Sequence, residues 1–82
     1  MEIRLLGYQD IDFETDKGDR IVGINIFCAS EDDYVTGHRT DKFFISKRLV
    51  PEEGLKPDCY YDLLFGRRGK VDKITYLGDV TL

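Results

Sequence analysis

Eighty-two residues and 9.5 kDa make one domain and leave no room for a two-domain enzyme. Charged residues are 34% of the chain, apolar residues 41%, and the net charge is −4; this excludes an acidic disordered tail and leaves a globular protein with a modest core. No apolar run approaches the ~18 residues of a membrane span, and Met1 followed at once by Glu2 and Arg4 predicts no export signal, so the expected location is cytoplasmic, away from membranes.

Alanine, methionine and glutamine occur once each, whereas β-branched and aromatic residues are abundant. Helix formers are scarce, strand formers plentiful, and glycine and aspartate supply turns, so the chain reads as all-β. The first strand is predicted over 2–8, continuing after a kink at Asp10 to Phe13. Thr15-Asp16-Lys17-Gly18-Asp19 has the composition of a tight turn with Gly18 at positive φ. Strand two, 20–29, puts Val22, Ile24, Ile26 and Cys28 on one apolar face. Gly23 in its middle suggests the coiling or bulge that a closed barrel needs. Residues 30–37 form an acidic loop around Tyr34. Strand three, 39–46, sends Phe43 and Ile45 to one side and Phe44 to the other. A short helical turn is expected within 49–54. Strand four spans 59–65, Gly66-Arg67-Arg68-Gly69 is the sharpest turn, strand five spans 70–77 and 78–82 is a tail. Five strands, two tight hairpins and one longer crossing between strands three and four predict a five-stranded Greek-key small barrel over residues 1–82. An OB-like barrel is the first choice and an SH3-like barrel the second.

Catalytic and metal chemistry is poorly provided for. His38 is the single histidine and has no patterned nucleophile beside it. Asp32/Asp33 and Glu52/Glu53 fall in loops, where water keeps paired carboxylates alike. Asp10, Asp12, Glu14 and Asp16 alternate but lack the central Gly and terminal Glu of an EF-hand loop. Cys28 and Cys59 lack zinc-ligand spacing and are expected as reduced core thiols. No enzyme activity, cofactor or metal is expected.

Charge is distributed unevenly: residues 1–41 hold ten acids and four bases, residues 42–82 six acids and eight bases. The bases cluster from His38 and Arg39 through Lys42 to Lys47, and again at Arg67, Arg68 and Lys70. In an OB barrel both clusters fall on or near the groove over strands two and three, and Lys17 and Arg20 of the first hairpin add to it. Consecutive strand residues face opposite sides, so either Phe43 or Phe44 is outside, and likewise Tyr60 or Tyr61; Phe13, Phe27, Phe43, Phe65 and Tyr76 are expected in the core. Basic groups beside exposed rings are the combination that binds single-stranded nucleic acid. The candidate binding residues are Lys17, Arg20, Tyr34, Arg39, Lys42, Phe44, Lys47, Arg67, Arg68 and Lys70.

The succession of turn Asp16–Asp19, strand Arg20–Ile26, Val35-Thr36-Gly37, Lys42–Ser46, Gly54–Pro57, Tyr60–Leu63 and Phe65–Val71 resembles the small single-stranded-DNA-binding proteins of filamentous phages and related short proteins of phages and conjugative elements. The likeness covers roughly 12–77 as a rhythm of strands and turns. It implies an OB barrel, a homodimer that coats single-stranded DNA (RNA offers the same chemistry), and a hairpin over 28–40 with Tyr34 as its stacking ring. The second function class, independent of nucleic acid, is an acidic protein-interaction module of a mobile element, an adaptor or inhibitor, using the row Asp10, Asp12, Glu14 and Asp16.

Overall fold

The computed structural model describes residues 1–79; the last part of the predicted tail, 80–82, lies outside the described residues. The strands are β1 (Glu2–Glu14), β2 (Arg20–Ser30), β3 (Arg39–Ile45), β4 (Cys59–Phe65) and β5 (Val71–Asp79), with one 3-10 turn at Lys47–Leu49. All pair antiparallel in a single sheet of order β3-β2-β1-β4-β5. The sub-order β4-β1-β2-β3 is a Greek key: three hairpin-linked strands and a fourth that returns beside the first.

The two tight turns share one construction. Gly18 N–H donates to Thr15 O and Thr15 N–H to Asp19 O; Gly69 N–H donates to Gly66 O and Gly66 N–H to Lys70 O. Each is a three-residue loop whose last residue is left-handed, and Gly18 (φ 85°) and Gly69 (φ 71°) meet that demand without a Cβ penalty.

Alternation decides which side chains fill the core. Ile3, Leu5, Ile24, Ile26, Cys28, Ile45, Tyr61 and Leu63 point to the inner face and are almost wholly buried, with Phe43, Phe65 and Tyr76 packed at the margin. The kink expected at Asp10 is absent. The ladder is instead interrupted at Leu6, an extra residue between the pairs Leu5↔Cys28 and Gly7↔Phe27. From Ile11 and Gly23 onward β1 and β2 run on as a two-stranded ribbon past the core, so Val22, though on the inner face, is exposed. No bulge occurs at Gly23 either, where the register is regular.

Among the described residues the expected closed barrel is not formed by hydrogen bonds: β3 and β5 remain edges with no ladder between them. The gap is spanned by side chains and by the crossing chain 46–58. The rings of Phe43 and Phe65 meet edge-on at 5.4 Å. Leu49, Val50 and Leu55 of the crossing pack on the core. Tyr61 anchors this segment, because its hydroxyl accepts from Lys56 N–H at 2.8 Å and donates to Gly54 O at 2.9 Å. Burial pushes that hydroxyl's pKa up, so it remains a neutral donor. Tyr61→Phe leaves a backbone N–H and a C=O without their partner. The expected cost is about 1–3 kcal/mol, read as a lowered urea midpoint with unchanged slope.

Both cysteines are buried free thiols, as expected. Burial, with Asp41 adding to it, pushes the Cys28 thiol up to about 11, which keeps it protonated and unreactive in the folded protein. No helix among the described residues is long and apolar enough to cross a membrane.

Candidate nucleic-acid interface

Register fixes which residues share the outer face of β1, β2 and β3. Along β3 these are Thr40, Lys42 and Phe44, opposite Ala29, Phe27 and Asn25 of β2. Along the ribbon they are Ile11 and Phe13, opposite Gly23 and Ile21. In a chain one-third charged, β2 and β3 carry a single charge on this face, Lys42. Phe13 is 51%, Phe44 50% and Phe27 37% exposed. The expectation that Phe13 and Phe27 lie in the core is thereby corrected: the extra residue at Leu6 inverts the phase of β1, and Phe27 alternates out of step with Ile26 and Cys28.

Phe44 lies against the sheet because Gly23 makes room for it. A Cβ at Gly23 would run into the ring's Cζ and lie 2.8 Å from its Cε2 and 2.7 Å from Ile45 O. The glycine read as a barrel kink is therefore the floor beneath an exposed ring. Lys42 lies two residues from Phe44, a separation of ~6.6 Å along the strand, directly opposite Phe27, and makes no ion pair among the described residues.

The ten candidate residues do not form one strip. β1 and β2 meet at one end of the sheet, where Lys17 and Arg20 are found; β2, β3, β4 and β5 turn at the other, where Tyr34, Arg67, Arg68 and Lys70 are found. Arg20 is committed to Asp12 by a two-pronged pair at 2.9 and 2.8 Å. The Arg20 guanidinium holds the Asp12 carboxyl below its usual range, with a smaller contribution from Lys47. Lys47 stands in the 3-10 turn after β3 and not on the strand itself. Arg39 falls on the inner side of the β2–β3 pairing and is bound by Asp41 at 3.2 Å and Asp32 at 3.4 Å. Only Lys42 and Phe44 of the ten stand on the outer face itself. Tyr34 is 99% exposed at the tip of a turn in which Asp32 O accepts from Val35 N–H and Asp32 Oδ1 from Tyr34 N–H.

Sequence reasoning missed Phe27 as a surface ring, although its place among Val22, Ile24, Ile26 and Cys28 carries the signal. It also missed Arg4 and Tyr60, which face each other on the outer side of β1 and β4. No family model, no curated protein and no solved structure matches the chain.

Proposed function

We propose that the chain is a single-stranded-DNA-binding protein, of the OB-like kind used in phage and mobile-element DNA metabolism, tolerant of sequence and without catalytic activity. The observation that carries this reading is the outer face of β2 and β3, where Phe27 and Phe44 are exposed beside an unpaired Lys42 and no carboxylate shares the face. Rings of this kind stack on bases, while lysine meets phosphate. Arg67, Arg68 and Lys70, exposed on the β4–β5 turn, and Tyr34 on the β2–β3 loop extend the path at one end. The Greek-key order, with the β2–β3 face and the first and last turns as binding elements, supports the OB reading. A homodimer through the apolar side of the ribbon, Ile11, Phe13 and Ile21, belongs to the same reading.

The test is fluorescence anisotropy of a labelled single-stranded oligonucleotide and its duplex at two salt concentrations. Binding of the single strand is expected at low salt, falling steeply as salt rises because lysine and arginine bind the phosphates by releasing their counterions. Arg67→Glu with Arg68→Glu is expected to weaken it with the fold intact. No anisotropy change at micromolar protein and low salt defeats the reading. A second reading, an acidic interaction module, is favoured by Asp10, Asp12 and Glu14, which share the ribbon's other side in the ladder. It predicts a co-purified basic protein that high salt releases, and no DNA affinity.

A further inference from the structure

At the base of the same outer face, below Phe27 and Lys42, lies a cavity of about 410 Å³ between the start of β1, the end of β2 and β4. Its floor follows one row of the sheet: Ala29, Arg4 and Tyr60 are paired side by side across β2, β1 and β4. Ala29 is small, and this opens the space beside the arginine. Glu2, Glu31 and His38 complete the rim. The guanidinium of Arg4 makes no hydrogen bond or ion pair among the described residues, and its Nε is buried without a partner. Buried donors are normally satisfied, so this one points to an acceptor that the fold does not supply.

The chemistry of the rim narrows the ligand. A bare phosphate would meet two carboxylates, and a simple cation would meet the arginine. A flat molecule with acceptors on one edge and donors on the next satisfies both, with its face against Tyr60. Guanine has that layout. O6 and N7 accept from an arginine fork, and the adjacent N1–H and N2 amino group donate to a carboxylate. Thymine has a lone N3–H donor, and cytosine and adenine place a donor where guanine has O6. The volume lies in the range of small-ligand sites.

We propose that this cavity takes one guanine base of a bound single strand, with Arg4 on O6 and N7, Glu31 or Glu2 on N1–H and the N2 amino group, and Tyr60 against the ring. It rests on the nucleic-acid reading and adds a base preference at one position of an otherwise tolerant path. The cations of the β4–β5 turn lie at the same end of the sheet and meet the flanking phosphates.

The experiment compares an all-thymidine strand with the same strand carrying one central guanine, for the native protein and for Arg4→Lys, which keeps the charge but loses the planar fork. The guanine-containing strand is expected to bind about tenfold tighter to the native protein. Arg4→Lys erases that difference, with an unchanged circular dichroism spectrum reporting an intact fold. Equal affinity of the native protein for the two strands, or a guanine advantage that survives Arg4→Lys, overturns the proposal while the single-strand reading stands. If neither strand binds, that reading fails instead, and the cavity is judged alone by NMR titration with guanosine and cytidine monophosphates. Shifts of the Ala29 and Ser30 amides with the guanosine nucleotide only support it; no shifts, or equal shifts with both, end it.

Discussion

Gly23→Val is expected to destabilise the protein by about 3 kcal/mol, the upper part of the range for forcing extra atoms into a packed site. For a domain of this size that lowers the melting temperature by roughly 12 °C or more. The reason is geometric. The added Cβ meets both the Phe44 ring and the carbonyl of Ile45, and the carbonyl belongs to the β2–β3 ladder at the pair Ile24↔Ile45. A ring can swing away, but the carbonyl cannot without loosening the ladder. Gly23→Ala combined with Phe44→Ala is therefore expected to recover part of the loss and not all of it. Thermal melts of the two variants check this, and a Gly23→Val protein as stable as the native one would show that Phe44 does not pack where described.

Phe27→Ala with Phe44→Ala is expected to weaken single-strand binding by at least ~2 kcal/mol, since each stacked base is worth ~1–3 kcal/mol; that is about 30-fold in affinity. Both rings already face solvent over a third or more of their surface, so the fold is expected to survive their loss. Leu64→Ala is the control: Leu64 is 56% exposed on the outer side of β4, away from the β2–β3 face, and its loss leaves affinity unchanged. If removal of both rings changes nothing while Arg67→Glu with Arg68→Glu abolishes binding, the turn and not the sheet face holds the strand.

Much of the framework is legible in the sequence because local chemistry dictates it. Gly18 and Gly69 mark their turns through positive φ, and strict alternation in β2 and β4 places Ile24, Ile26, Cys28, Tyr61 and Leu63 inside. The outer face is harder to read for one identifiable reason. Counting by twos from Ile3 and Leu5 carries Ile11 and Phe13 into the core. One inserted residue, Leu6, reverses that count and turns Asp10, Asp12 and Glu14 to the inner side of the ribbon. Nothing about a leucine in an apolar stretch announces that it stands outside the ladder. The fates of Arg20 and Arg39 are hidden for a similar reason: their carboxylate partners, Asp12 and Asp41, become neighbours only once register is set. Gly23 was visible as an anomaly, but its cause lies on the neighbouring strand.

The boundary between β3 and β5 is held by Phe43, Phe65 and the crossing chain, with no backbone ladder across it. Among the described residues, the sheet can part along this seam without breaking an interstrand hydrogen bond. Among the described residues, the outer amides and carbonyls of β3, and those of β5 before Asp79, are thus left without a strand partner. Breathing motions that unseat the Tyr61-anchored strap would bare them first, long before the central β1 hairpin lets go.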